Sequence, residues 1–211
     1  MITTLSQLPN PPRIRIAGLS GSGKSTLGKL LAKRLSIAYL EEDSIHFMDP
    51  YFTLIEKSIV QSTAIEFTAS NSDSGFVTDG FWTDLNPILL PQINVMIELN
   101  YPLYIILWRL AKRTFWRCWT GEKLWGTEIQ ETFLNVLKFW DKDNIFRLTL
   151  TSWYKLRHTS ESKAKLRETW FREGWTNDAG IVPERLVWKG GRLLIRFNHP
   201  RELAEWLNDS Q

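Results

Sequence analysis

The chain has 211 residues, of which 43% are hydrophobic and 23% charged, which is typical of one globular domain with a sizeable core. Its formal charge of +3 suits an anionic partner such as a nucleotide and does not require nucleic acid. The single cysteine, Cys118, excludes an internal disulfide and fits a cytoplasmic location. The N-terminus lacks the pattern of a secretory signal, and polar residues interrupt the most apolar stretch, 85–110, so no membrane partner is expected.

The predicted elements alternate between strands and helices over the first half of the chain. Residues 1–12 contain three prolines and are predicted to be a leader segment, and 13–211 are predicted to form one domain. Strands are predicted at 13–17, 37–40, 76–78, 95–99 and 193–197. Helices are predicted from Thr26, near 53–68, over 103–119, 129–140, 144–157 and 160–173, and from Pro200, with 177–191 as a loop. This alternation favours a parallel sheet with helices on both faces.

The segment between the first strand and the first helix carries the most specific motif. It reads Gly-Leu-Ser-Gly-Ser-Gly-Lys-Ser and matches G-x-x-x-x-G-K-[ST] in full. Small residues let the backbone direct several N–H groups at phosphate oxygens, and the following helix adds its N-terminal partial charge. We expect Lys24 to reach the outer phosphates of ATP and the Ser25 hydroxyl to coordinate Mg²⁺. The predicted nucleotide-binding residues are Gly18, Ser20, Gly21, Ser22, Gly23, Lys24, Ser25 and Thr26.

Acidic residues follow the second and third strands, at the sheet edge where ligands bind in parallel α/β proteins. Asp43 is predicted to accept a proton from a substrate hydroxyl or to hold a magnesium-bound water, although an Asp there could also cap a helix. Asp79 and Gly80 are predicted to lie at the substrate, although they could also form only a turn. The sequence contains neither the base-reading motif of GTPases nor the Ser-Gly-Gly signature of ABC-type ATPases. These features favour a kinase of the nucleotide-kinase type.

Three arginines spaced four apart, Arg109, Arg113 and Arg117, lie on one face of the predicted helix 103–119. Phosphoryl transfer builds negative charge that arginines stabilise, so Arg109 and Arg113 are predicted to be catalytic and Arg117 to contact substrate. The alternative is a solvated basic face. We predict a mobile lid at about 110–130 that carries arginines to the site and excludes water.

Four segments together resemble adenylate-kinase-related P-loop proteins of bacteria, including those called DNA topology modulation proteins. They are Ile-Ala-Gly-Leu-Ser-Gly-Ser-Gly-Lys-Ser-Thr, Glu-Asp-Ser-Ile-His-Phe, Val-Thr-Asp-Gly-Phe-Trp and Leu-Trp-Arg-Leu-Ala-Lys-Arg-Thr. The resemblance covers roughly 13–157 and, more loosely, the last strand and helix; shikimate and gluconate kinases are more distant relatives. It implies a five-stranded parallel sheet, ATP with Mg²⁺, lid arginines, and site roles for Lys24, Ser25, Asp43, Arg109 and Arg113.

The sequence departs from that family at two places. Phe81-Trp82-Thr83-Asp84 lacks the Pro-Arg that follows Asp-Gly-Phe in adenylate kinases, which weakens AMP as the acceptor. An additional, predominantly helical segment at about 158–192 is longer than the family implies.

Two functional hypotheses follow from the sequence. The first is a kinase that transfers the γ-phosphoryl group of ATP to a small-molecule acceptor, with nucleosides and nucleotides among the candidates. The second is a nucleotide-binding regulator that acts on DNA or a protein partner with little transfer activity. The second rests on a basic run interleaved with tryptophans, which could follow a phosphate backbone or form a solvated helix. The run comprises Trp153, Lys155, Arg157, Lys163, Lys165, Arg167, Trp170 and Arg172.

Overall fold

One sheet of six strands organises the chain, in the order β2-β3-β1-β4-β6-β5. The computed structural model describes residues 5–47, 53–80, 82–125, 128–138, 140–141, 144–158, 186–189 and 192–209. The strands are β1 Arg13–Gly18, β2 Ala38–Glu41, β3 Phe76–Asp79, β4 Val95–Leu99, β5 Leu186–Lys189 and β6 Arg192–Phe197. The pairs β2–β3, β3–β1, β1–β4 and β4–β6 are parallel, so five strands form the predicted parallel sheet, and β5 pairs antiparallel with β6 at one edge.

Seven helices are described around this sheet. They are α1 Lys24–Leu35, α2 Lys57–Ser70, α3 Asn86–Leu89, α4 Leu103–Thr120, α5 Phe133–Leu137, α6 Ile145–His158 and α7 Pro200–Asn208. A 3-10 helix, Glu42–Ile45, follows β2 directly. No helix among the described residues is long and apolar enough to cross a membrane.

The core has two apolar clusters that include residues from the central strands β1 and β4. One cluster includes Ile14 and Ile16 of β1 with Leu27 and Leu31 of α1. Alternation along β1 directs the intervening side chains to the other face, where the second cluster includes Ala17, Phe76 and Met96. Because apolar side chains cover both faces of the sheet, a polar site can be built at the edge formed by the carboxyl ends of the parallel strands.

Arg15 and Glu42 form an ion pair that is buried inside the fold. Arg15 of β1 donates from Nε to Oε1 of Glu42 at 2.8 Å and from Nη2 to Oε2 at 2.7 Å, and neither side chain is exposed. Arg15 Nη1 also donates to Oδ1 of Asn86 at 2.8 Å. The N–H groups of the guanidinium are thus hydrogen-bonded inside the protein, as a buried charge requires.

The observed elements correct some predicted boundaries. Residues 186–189, predicted as loop, form β5, because pairing with β6 supplies hydrogen bonds that no local pattern encodes. The helix predicted over 129–140 is confined to Phe133–Leu137. In the predicted leader, Leu5 is buried and the Pro12 carbonyl accepts from Phe76 N–H at 3.0 Å. The predicted helix 160–173, and most of the segment at 158–192, lie outside the described residues.

We expect Glu42→Gln to lower the free energy of unfolding by roughly 3–5 kcal/mol, because it leaves the buried Arg15 charge without a counter-charge. Chemical denaturation of the purified variant measures this loss. Glu66→Gln, which makes the same change on an exposed face of α2, is the matched control and should cost less than about 0.5 kcal/mol.

A double variant tests the cause of that loss. Arg15→Met combined with Glu42→Leu removes both charges, so its cost should be smaller than the sum of the two single substitutions. Strict additivity would contradict the assignment of the loss to an uncompensated buried charge.

Candidate active site

The predicted phosphate loop joins the end of β1 to α1. Gly21 and Gly23 have φ values of 87° and 96°, which favour glycine. A Cβ on Gly21 would lie 2.7 Å from the carbonyl oxygen of Ile106 and 3.0 Å from Cβ of Leu110, so the loop packs directly on α4. Helix α1 begins at Lys24 with no side-chain cap at Gly23, which leaves its first N–H groups available to an anion.

An oxygen-rich cluster lies beside this loop. The Ser25 hydroxyl donates to Oδ2 of Asp79 at 2.6 Å and lies 3.2 Å from Oε1 of Glu41. Glu41 and Asp79 are register partners on β2 and β3, so the sheet itself places the two carboxylates side by side. The Lys24 ammonium donates to the Leu19 carbonyl oxygen at 3.4 Å, within its own loop. Asp79, predicted at the substrate, is thus in contact with the predicted magnesium ligand Ser25.

The Asp79 carboxyl is held in an environment that disfavours its charge. Burial is the largest cause and raises the pKa of Asp79 to about 6, while hydrogen bonds from Ser25 and Tyr39 and the charge of Lys24 oppose the rise. The Tyr39 hydroxyl donates to Asp79 Oδ1 at 2.7 Å. Burial and the neighbouring Asp79 raise the pKa of Tyr39 as well, so this phenol remains a donor. A cation beside Asp79 would relieve its charge.

The residues of this cluster fit Mg²⁺ together with a bound triphosphate. Hydroxyl and carboxylate oxygens are the ligands that Mg²⁺ prefers, and this ion usually takes only one or two carboxylates and retains several waters. A small donor set of Ser25, Asp79 and Glu41 is therefore sufficient. The described residues contain no group of three or more His, Cys, Asp or Glu side chains placed to hold a metal.

Asp43 lies two residues beyond Glu41, in the 3-10 helix after β2. Its Oδ1 accepts from the Trp82 indole Nε1 at 2.7 Å. The Trp82 backbone N–H donates to Oε2 of Glu42 at 3.2 Å, so the buried ion pair also fixes the tryptophan. Gly80 has φ of 134°, and a Cβ there would lie 2.7 Å from Cβ of Glu42. The structure therefore gives Gly80 a steric role, since only glycine lets the chain pass Glu42.

The predicted arginines of α4 divide into two groups. Arg109 lies at the phosphate loop, where Nη1 donates to the Ser22 carbonyl oxygen at 3.2 Å and the guanidinium stands 5.5 Å from the ring centre of Tyr101. Arg117 Nη1 donates to Oε1 of Glu131 at 3.0 Å, and Arg113 Nη2 lies 3.8 Å from the same oxygen.

Arg113 has unused hydrogen-bonding capacity. Its Nε is buried with no hydrogen-bond partner among the described residues, and the Glu131 Oε2 atom is in the same state. Burial and the neighbouring charge of Arg117 lower the pKa of Arg113. A guanidinium held this way favours an added anion, which is the role predicted for it in phosphoryl transfer.

Several residues at this edge were not predicted from the sequence. The sequence signal for Glu41 is its place directly after the predicted strand 37–40, but the acidic run Glu41-Glu42-Asp43 does not reveal which member faces Ser25. Trp125 donates from Nε1 to Oε1 of Glu41 at 2.9 Å across a separation of 84 residues, and no local pattern encodes that contact. Of the basic run, Trp153, Lys155 and Arg157 lie on α6, and its members from Lys163 onward lie outside the described residues.

The central strand β1 leads into the phosphate loop, and the adjacent parallel strand β3 ends in the carboxylate Asp79 that accepts from Ser25. The chain has an α/β P-loop NTPase fold. No protein-family model matches it, and no curated protein matches it significantly.

Solved structures that resemble the chain are described as kinases. A gluconokinase from Sinorhizobium meliloti 1021 is 12% identical, with a TM-score of 0.45 over 95% of this chain and 89% of its own. A sugar kinase from Janibacter sp. HTCC2649 is 14% identical, with a TM-score of 0.46 over 94% and 91%. A shikimate kinase from Acinetobacter baumannii in complex with shikimate is 18% identical, with a TM-score of 0.41 over 75% and 79%.

The raised pKa of Asp79 predicts a pH-dependent gain in stability for Asp79→Asn. Between its ordinary value of 3.8 and about 6, the folded protein holds a proton that the unfolded chain releases. Stability therefore falls as pH rises through this window and stays lower above it, by roughly 3 kcal/mol at most. Without ligands, Asp79→Asn should melt at a higher temperature than the wild type at pH 8.

The gain should shrink as pH falls and vanish near the ordinary Asp79 pKa of 3.8. Asp73→Asn, on an exposed turn, is the matched control and should change the melting temperature little at any pH. Equal melting temperatures of Asp79→Asn and the wild type at pH 8 would contradict the raised pKa.

Proposed function

We propose that this protein is an ATP-dependent kinase that phosphorylates a hydroxyl group of a small-molecule acceptor. The proposal rests on one arrangement. The phosphate loop with Lys24, the oxygen cluster of Ser25, Asp79 and Glu41, and the carboxylate of Asp43 all lie at the carboxyl edge of three neighbouring strands. A nucleotide-binding protein without transfer activity needs only the phosphate loop and the oxygen cluster. A kinase also needs a carboxylate at the phosphoryl acceptor.

The loop is suited to hold the triphosphate of ATP through backbone N–H groups and the N-terminus of α1. Lys24, which now donates to Leu19 within the loop, would turn its ammonium to the outer phosphates. Ser25, Asp79 and Glu41 would hold Mg²⁺, which neutralises phosphate charge when bound. Arg109, already bonded to the Ser22 carbonyl, would stabilise charge on the transferred group from the α4 side.

Phosphoryl transfer also needs a group that takes the proton of the acceptor hydroxyl. The acceptor oxygen forms a bond to the γ-phosphorus of ATP while the bond from that phosphorus to the β,γ-bridging oxygen breaks, and ADP departs with the electron pair. Asp43 takes the proton from the acceptor hydroxyl. The Trp82 indole Nε1–H donates to the Oδ1 atom of Asp43, and the Oδ2 atom would accept the proton. Arg113, with a buried Nε that lacks a partner, would add positive charge as the phosphoryl group moves.

Lys24→Ala should abolish turnover, because no other ammonium lies within the phosphate loop. The measurement is ADP release with Mg²⁺, ATP and an acceptor at saturation. Lys33→Ala, at the last turn of α1, serves as the matched control and should retain the wild-type rate. An undiminished rate in Lys24→Ala would defeat the mechanism.

Asp43→Asn should lower kcat by about 10²–10⁴-fold and leave ATP affinity unchanged, because it removes the proton acceptor and retains the shape of the side chain. Steady-state kinetics and equilibrium titration with a non-hydrolysable ATP analogue separate the two effects. A parallel loss of ATP affinity would instead place Asp43 in nucleotide or metal binding.

The experiment that tests the function itself is ATP consumption with Mg²⁺ against nucleosides, nucleoside monophosphates, sugars and sugar acids. Stimulation by one class that Lys24→Ala eliminates would establish the kinase. ATP binding without stimulation by any class would oppose the proposed transfer activity for these acceptors.

A further inference from the structure

Arg113 and Arg117, one turn apart on α4, share the carboxylate of Glu131. Arg117 donates from Nη1 to Oε1 of Glu131 at 3.0 Å, which is a charge-assisted hydrogen bond. Arg113 approaches the same oxygen only to 3.8 Å from Nη2, so these two groups form an ion pair beyond hydrogen-bond distance. Glu131 therefore accepts a hydrogen bond from Arg117 and gives Arg113 a counter-charge without one.

The two guanidinium groups need such a counter-charge to lie side by side. Like charges one turn apart on a helix repel each other. Burial, and after it the charge of Arg117, lower the pKa of Arg113, and the charge of Glu131 opposes that fall. Without Glu131, Arg113 would lie beside a second positive charge, and its side chain would turn toward solvent, where charge is screened.

The segment that carries Glu131 is tied to the chain that directly follows α4. Leu124 N–H donates to the Ile129 carbonyl oxygen at 2.8 Å, and both of these side chains are buried. Lys123 and Gln130 form an antiparallel bridge next to this hydrogen bond. The Glu131 side chain is itself only 14% exposed. Backbone contacts thus hold the carboxylate at the arginines of α4, independently of its ion pairs.

This arrangement leaves hydrogen-bonding capacity on Arg113 close to the proposed proton acceptor. The Arg113 Nε is buried and has no hydrogen-bond partner among the described residues. Although burial lowers the pKa of Arg113, the charge of Asp43 opposes the fall, so Asp43 is near enough to act on the guanidinium. An arginine whose charge is balanced but whose N–H groups are not all engaged is suited to an anion that forms during a reaction.

We propose that Glu131 is a positioning residue that keeps the Arg113 guanidinium directed at the transferred phosphoryl group. The inference rests on the proposed kinase function, in which Arg113 stabilises the charge of that group. Glu131 fixes the guanidinium through charge and leaves its N–H groups to the phosphoryl oxygens. Arg117 holds Glu131 in turn, and in this arrangement it supports the site through Glu131 and does not contact the substrate.

The test measures phosphoryl transfer by the full chain from ATP with Mg²⁺. The acceptor probes are adenosine, cytidine, AMP, glucose and gluconate, and the probe that the wild type phosphorylates fastest is used for every variant. Titration with a non-hydrolysable ATP analogue measures nucleotide affinity separately. Thermal unfolding checks that each variant is folded.

Glu131→Gln should lower kcat by about 10–10²-fold, because a misdirected guanidinium no longer meets the charge of the transition state. Its affinity for the ATP analogue should equal that of the wild type. Glu131→Asp retains the charge and should keep a higher kcat than Glu131→Gln. The matched control is Glu122→Gln, which should retain the wild-type kcat. Glu122 Oε1 also lies 3.8 Å from Arg117, at Nε, but among the described residues it forms no ion pair with Arg113.

A kinetic double-mutant cycle separates positioning of Arg113 from general damage to the site. In an Arg113→Met background, Glu131→Gln should change kcat by less than about threefold, because the group that Glu131 positions is already gone. If Glu131→Gln does not fold, Arg117→Met replaces it in the cycle, since that change removes the hydrogen bond that holds Glu131. Its effect on kcat should vanish in the Arg113→Met background in the same way.

The outcomes separate this inference from the kinase proposal. Wild-type kcat in Glu131→Gln, a loss of equal size with and without Arg113, or a loss confined to nucleotide affinity would overturn the positioning role and leave the kinase standing. An equal loss in both backgrounds for Arg117→Met would do the same. Absence of transfer by the wild type to every probe would overturn the positioning role together with the kinase.

Discussion

The buried ion pair between Arg15 and Glu42 positions much of the acceptor side of this molecule. Arg15 lies on the central strand, and Glu42 precedes Asp43 directly, so the pair anchors the 3-10 helix that carries the proposed proton acceptor. Glu42 also accepts the backbone N–H of Trp82. One bidentate contact therefore orients both a carboxylate and the indole that binds it. Buried ion pairs contribute little net stability, and their value here is geometric.

The phosphate side is built on a different principle. Its acids are placed by strand register, since Glu41 and Asp79 face each other across β2 and β3. Among the described residues the only ion pair of either acid is that of Glu41 Oε2 with the exposed Lys29, whose Nζ lies 3.7 Å away, and burial raises the pKa of Asp79 to about 6. The buried Asp79 carboxylate therefore destabilises the protein without ligands, and a bound cation would supply the positive charge that relieves it.

The sequence was sufficient for features that depend on local pattern. The glycine spacing of the phosphate loop and the leucine spacing of α1 are contained within 18–35, and the apolar strand segments predict the parallel sheet. The alternation Arg13-Ile14-Arg15-Ile16 gives no reason to bury Arg15, because its partner Glu42 lies 27 residues away. The same holds for Trp125 and Glu41, separated by 84 residues. Side-chain pairing across strands and loops is decided by the fold as a whole. The roles assigned to Lys24, Asp43, Asp79 and the arginines remain predictions.

The contact between Gly21 and α4 limits how the arginine helix can move. The backbone of Ile106 and Leu110 lies against the glycine with no room for a methyl group. The first two turns of α4 therefore pack closely on the phosphate loop, and Arg109 donates to the carbonyl oxygen of Ser22 in the same loop. Any hinge for the following segment must lie beyond Leu110. Gly121, in a left-handed conformation with open space around it, ends the helix and is a natural pivot. Arg109 would then keep its place at the phosphate loop, and only the residues beyond Gly121 would move when an acceptor binds.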